Sequence, residues 1–166
     1  MTSSLAWWGA FVLFTLLVIL EDLRHRRVSN RLLLFALAFQ SLWLLGNRAG
    51  WLAPAGDGAS ALSGGLALAL SLLVFWPLWR AHLMGAGDIK FLATLGWLTG
   101  LENWLVILLL GSIPGALHAL TQVMLLRREA VLPVRYAITR RGIPYAGYLA
   151  AAALLWSAWW HWGRIS

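Results

Sequence analysis

The sequence predicts an all-α polytopic membrane protein with about six transmembrane helices and both termini outside, on the periplasmic face. Three observations predict it. First, the 166 residues are 61% hydrophobic and only 11% charged, with mean hydropathy +0.75, whereas soluble domains carry about 25% charged residues. Second, the apolar residues are gathered into runs near the length needed to cross a hydrocarbon core of about 30 Å, which takes about 20 helical residues. Third, the cations crowd onto alternate connections between those runs. Such apolar mass excludes a disordered chain. The absence of cysteine excludes disulfide frameworks, thiolate nucleophiles and cysteine-ligated zinc.

The first segment, Leu5–Leu20, is uncharged and ends at Glu21-Asp22. No basic stretch precedes it and no A-x-A-like site follows, so it is expected to stay as a helix and not to be removed as a signal peptide. The second runs from Leu32 to Gly46, and the third, Ala59–Trp79, is uncharged for 21 residues. The fourth, Ile89–Leu98, is apolar except for Lys90, and Thr99-Gly100 closes it. The fifth, Trp104–Leu126, holds Pro114-Gly115, which is expected to kink it. The sixth is Ile143–Trp162. Residues 1–166 read as a single membrane-embedded domain without a convincing repeat.

Arg24, Arg26, Arg27 and Arg31 follow the first segment, and Arg80 and Lys90 flank the third connection. Arg127, Arg128, Arg135, Arg140 and Arg141 follow the fifth segment, whereas Arg48 and Arg164 fall on the other side. The eleven cations on one side mark it as cytoplasmic. The excess of base therefore reports orientation, and nucleic acid is not an expected partner. The long connection Arg127 to Gly142 is expected to meet anionic lipid. Ten of the twelve tryptophans, Trp7, Trp8, Trp43, Trp51, Trp97, Trp104, Trp156, Trp159, Trp160 and Trp162, fall near the outer interface. They are expected to form an anchoring belt at headgroup level.

Of the six acids, Asp57, Glu102 and Glu129 are read as solvated or paired surface charges. Asp22 and Asp88 differ, because both fall on the cytoplasmic side, at the end of one segment and the start of another. Asp22 lies where a helix macrodipole disfavours an anion. It is as well placed to neutralise Arg24, Arg26 or Arg27 as to act chemically. Asp88, in Gly85-Ala86-Gly87-Asp88, is a candidate helix N-cap. However, Asp88 to Leu98 is 11 residues, about 16 Å of helix, too short to cross the core. The glycine turn is then at membrane depth, where non-helical backbone needs protein or a wet cavity around it. An acid there is a functional candidate.

Two carboxylates meeting at a wet cleft suggest aspartyl hydrolysis, since like charges at close range retain one proton between them. Spacing permits the meeting without requiring it. H-E-x-x-H, G-x-S-x-G and P-loop motifs are absent. His118, one turn from Gln122, is expected to be a hydrogen-bonded structural residue.

Three stretches carry a family resemblance: Asp22 followed by Val28-Ser29-Asn30, Gly85-Ala86-Gly87-Asp88-Ile89-Lys90, and Ile143-Pro144-Tyr145-Ala146-Gly147. They resemble, in order, the aspartate with downstream Ile-Pro-Asn, the G-x-G-D-x-K motif and the I-P-Y-G-P segment of the prepilin peptidases (type IV leader peptidases). These are polytopic G-x-G-D aspartic proteases. The resemblance implies a membrane endopeptidase of the bacterial inner membrane, with Asp22 and Asp88 catalytic. It implies that Gly85 and Gly87 turn the backbone tightly and that Asn30, Lys90 and Pro144 help shape the site. From position alone, Lys90 would snorkel to the interface. The substrate implied is a type IV pilin-like precursor, cut between its basic leader and apolar helix at the cytoplasmic face, with no metal and no cofactor. Ser29 stands where the family has proline, and Ala146-Gly147 where it has Gly-Pro. Lacking cysteine and the methyltransferase region of larger members, the chain is similar to the short form associated with Flp/Tad-type pili. The competing readings are a presenilin-like protease, a small non-catalytic transporter and a pilus-assembly subunit.

Overall fold

The structure, a computed structural model, describes residues 2–56, 59–129 and 144–162. Asp57, Arg135, Arg140, Arg141 and Arg164 lie outside the described residues, as do the side chains of Arg127, Arg128, Glu129, Trp160, His161 and Trp162. Among the described residues the elements are six helices, with no strand: α1 Thr2–His25, α2 Asn30–Arg48, α3 Ala61–Arg80, α4 Ala86–Thr99, α5 Leu101–Glu129 and α6 Tyr145–Trp162. Ser4–His25, Ala61–Arg80 and Leu101–Met124 are long and apolar enough to cross a membrane. The protein is thus a polytopic helical membrane protein, as its composition predicts.

Helix α4 is the axis of the fold. It is only 14 residues long, and it packs against α2, α3, α5 and α6. The unbroken run Phe91–Gly96 is buried. A helix that is apolar all round belongs inside protein, which is how so short a segment is accommodated without facing lipid. Small residues allow the close approach: a Cβ on Gly96 would lie 2.8 Å from the Ala67 Cβ, and one on Gly64 would lie 2.8 Å from the Trp97 carbonyl oxygen. Gly100, at φ 78° and ψ 169°, turns α4 directly into α5, in a backbone region essentially confined to glycine. The Ser63 hydroxyl accepts the Leu101 N–H at 2.8 Å and so fastens this turn to α3. Helix α5 continues through Pro114. Helix α1 packs on α6, and α5 packs on α6.

The tryptophan belt needs correction. Trp7, Trp8, Trp43, Trp104 and Trp156 are buried core residues, while Trp51 and Trp159 are exposed. Trp7 and Trp8 meet edge to face at 5.0 Å, and Trp8 reaches Trp156 at 6.1 Å. Internal acceptors satisfy their indoles: Trp7 donates to Gln40 Oε1 at 2.8 Å, Trp43 to the Ala53 carbonyl at 3.0 Å and Trp104 to the Leu92 carbonyl at 3.2 Å. Most buried indole N–H groups find such a partner; the buried Trp97 Nε1 has none among the described residues. Once an indole has one, the ring need not seek the headgroups.

Candidate active site

The end of α1 runs one turn further than the uncharged segment, carrying Glu21 and Asp22 inside the helix. Asp22 is therefore not exposed at a helix end; it is 4% exposed. Its Oδ2 accepts the Gly147 N–H at 2.7 Å. The chain then leaves α1 at Arg26, whose φ is 53°. The Glu21 carboxylate reaches across the connection to accept the Ser29 N–H at 2.7 Å. Ser29 is the N-cap of α2 by backbone geometry, with φ −64° and ψ 128°. Proline at this position would lack that N–H. In this chain a backbone-to-Glu21 hydrogen bond holds the connection instead.

Asp88 is not the N-cap of α4. That place falls to Gly85, and Asp88 lies in the first helical turn. Neither glycine of the motif has positive φ among the described residues, so the tight-turn role expected for Gly85 and Gly87 is replaced by a spatial one at Gly85. A Cβ there would lie 3.0 Å from Asp88 Oδ2, whereas one on Gly87 would meet open space. Asp88 precedes the apolar run Ile89–Leu98 and lies outside the three long apolar helices. Burial and then the neighbouring Asp22 charge push its carboxyl up to about 6, against backbone hydrogen bonds from Ala146 and Gly85.

The two carboxyls, from α1 and α4, are thus brought together under the first turn of α6. Its free N–H groups are otherwise without helical partners, and they carry the positive end of the macrodipole. Pro144 sits just before that turn, buried, and its carbonyl accepts the Tyr148 N–H at 3.1 Å. Having no N–H of its own, it leaves no donor stranded there. Asn30 and Lys90 also come together, with Lys90 Nζ donating to Asn30 Oδ1 at 3.2 Å. Lys90 therefore bridges to α2 as well as pointing outward.

Two cavities meet at the pair. One of about 340 Å³ is lined by Asp22, Arg27, Asn30, Gly87, Asp88 and Lys90. The other, of about 850 Å³, lies between α3 and α5 and is lined by Asp22, Asp88, Trp79, His82, Ser112 and Tyr145 among others. Arg26 and His82, the positive-φ non-glycine residues among those described, both line the larger one. Backbone in this sparsely populated region tends to gather at functional sites.

Sequence reading did not single out Tyr145 or Ser112, which pair through their hydroxyls at 2.9 Å on the cavity wall. Nor did it find the Ala146 and Gly147 N–H groups, because a backbone donor has no side-chain signature. Tyr145, Ala146 and Gly147 all belong to the stretch 143–147 that carries the family resemblance. His118 has the hydrogen-bonded environment expected: Nδ1 lies 2.7 Å from the Tyr148 hydroxyl and Nε2 lies 3.0 Å from Gln122 Nε2.

Comparisons with known proteins cover the same region. The prepilin leader peptidase/N-methyltransferase of Aeromonas salmonicida (strain A449) is 34% identical over 161 residues, covering 90% of this chain and 50% of that protein. The protein of the same name from Aeromonas hydrophila is 33% identical over 161 residues, covering 90% and 50%. That from Xanthomonas campestris pv. campestris is 32% identical over 158 residues, covering 92% and 50%. The chain thus spans about half the length of the curated relatives it matches. No solved structure matches. The model of the type IV leader peptidase family matches residues 9–120, a stretch that contains both Asp22 and Asp88, and the chain belongs to that family.

Proposed function

We propose that this protein is a metal-independent aspartic endopeptidase of the bacterial inner membrane. It removes the basic leader from type IV prepilin-like precursors, of the Flp type, at the cytoplasmic face. The observation that carries this reading is the convergence of Asp22 and Asp88 under the first turn of α6, at a junction of two cavities.

The proposed chemistry needs one proton on the pair. The ionised carboxylate takes a proton from water as the water oxygen attacks the scissile carbonyl carbon. The protonated carboxyl hydrogen-bonds the carbonyl oxygen and passes its proton to it. As the tetrahedral intermediate collapses, one of its hydroxyls returns a proton to the now ionised carboxylate, the C–N bond breaks and the leaving amine takes up the proton held by the other carboxyl, so the pair again holds one proton. The α6 N–H groups hold both carboxyls in place and favour the charged one. Gly85 leaves room for the Asp88 carboxyl, and Gly87 leaves room beside it for a peptide. Lys90 and Asn30 brace α4 against α2, and Pro144 fixes the start of α6. Membrane lipid surrounds the helices and meets the basic connections.

Reconstituted cleavage of a Flp-type prepilin tests the proposal. Wild type is expected to release the leader in the presence of a metal chelator. Asp22→Asn and Asp88→Asn are expected to insert normally and release none. Near-normal turnover by either variant would remove the aspartyl reading. No cleavage of several prepilins by folded wild type would favour the transporter or assembly reading instead.

A further inference from the structure

The larger cavity has walls of opposite character. On α3, Phe75, Leu78 and Trp79 line it with bulk, spaced i, i+3 and i+4 along one helix face. On α5, Ser112, Ala116 and Ala119 line it with small side chains, also on one face. The slot is about 850 Å³, near the upper end for sites that enclose a ligand. It shares Asp22 and Asp88 with the smaller cavity, whose lining includes Arg27, Asn30 and Lys90. The carboxyl pair therefore stands where a largely apolar slot, with Arg26 and His82 among its lining residues, meets a polar one.

We propose that the slot between α3 and α5 receives the apolar segment following the scissile bond as a helix, its backbone against the small face of α5 and its side chains against α3. This rests on the peptidase reading above. An apolar segment at membrane depth must satisfy its own backbone, which a helix does and an extended strand does not. Small residues let a second helix backbone come close, and the bulky α3 face then supplies the opposing contacts. Because the slot shares both aspartates, its occupant enters the site itself. A lipid acyl chain would bury apolar surface there but would offer the carboxyls no bond to cut. Ala116 and Ala119 are thereby specificity-determining residues for a long apolar segment.

Photo-crosslinking from position 119 tests this, with the photoreactive residue in an Asp22→Asn background so that substrate is held and not consumed. Position 117 is the control, since Leu117 is 59% exposed on the adjoining face. With a full-length prepilin in liposomes, adducts from position 119 are expected in the apolar segment and in clear excess over those from position 117. Equal yields at both positions, or adducts confined to the leader, overturn the proposal. In the cleavage-competent protein, Ala119→Trp is expected to raise KM for the full-length prepilin by about tenfold relative to Leu117→Trp, equivalent to about 1.4 kcal/mol of binding. An equal effect of the two substitutions also overturns it. Failure of wild type to cleave removes the peptidase reading and this inference together. Cleavage without a preference for position 119 removes this inference alone.

Discussion

Gly85 and Gly87 share a motif but meet different surroundings. A methyl on Gly85 would press on Asp88 Oδ2, while one on Gly87 would stand in open space inside a helical turn. Gly85→Ala is therefore expected to lower turnover at least tenfold by displacing the carboxyl, with the protein still folded. Gly87→Ala is expected to raise thermal stability, since alanine favours a helix by about 1 kcal/mol over glycine. Cleavage assays and thermal unfolding in detergent separate the two. Asp88 also predicts a pH dependence. Its folded-state carboxyl titrates near 6 instead of at 3.8, so the folded protein binds the extra proton and gains stability from it at low pH. That gain is lost as pH rises from about 4 through about 6. Thermal midpoints of wild type are expected to fall over that window, and Asp88→Asn is expected to make the fall smaller. At Ser29 the φ of −64° already suits proline. Ser29→Pro would lose the hydrogen bond to the Glu21 carboxylate, worth about 1.5–3 kcal/mol, and regain only about 0.4–1 kcal/mol by restricting the unfolded chain. A modestly lowered thermal midpoint with activity retained is expected; a midpoint at or above that of wild type would show that the Glu21 contact contributes little.

The helices of this protein were largely legible as apolar runs, because a membrane-crossing helix announces itself by length and lack of charge. Their ends were less so. Helix α1 extends through Glu21, Asp22 and on to His25, since charged residues stop an apolar run without stopping a helix. Helix α4 starts at Ala86 instead of after Asp88, because glycine is a poor helix former that protein packing can override. The burial of Trp7 and Trp104 was hidden for a similar reason: sequence position gives depth in the membrane, not whether a ring faces lipid or protein. Close approach of helices was equally invisible until Gly96 was seen against Ala67. That contact predicts the effect of Gly96→Ala. The added methyl would lie 2.8 Å from the Ala67 Cβ and 3.0 Å from its backbone carbon. Overpacking is expected to cost about 1–3 kcal/mol, more than the helix propensity it gains. A lowered thermal midpoint in detergent checks this, and partial recovery in a Gly96→Ala, Ala67→Gly double variant would locate the clash between α3 and α4.

At the scale of the whole molecule, the charge distribution proposes which face of the membrane holds the site. The connections carrying Arg24 to Arg31 and Arg80 to Lys90 are the ones beside Asp22 and Asp88, so a cytoplasmic site and a cytoplasmic excess of cations are one requirement, not two. The exposed ends of the bundle make this measurable. Trp51 is 84% exposed in the connection between α2 and α3, and Leu83 is 75% exposed in the connection between α3 and α4. The chain has no cysteine, so a cysteine introduced at either position is the only thiol. Both termini outside and three cytoplasmic connections predict that a membrane-impermeant maleimide, added to cells with a permeabilised outer membrane, labels Trp51→Cys. Leu83→Cys should react only after the inner membrane is opened. Labelling in the opposite order would put the carboxyl pair on the periplasmic face, away from the leader of a precursor that has not yet been processed. It would set the charge rule against the proposed reaction, because a peptidase for a cytoplasmic leader cannot keep its aspartates outside.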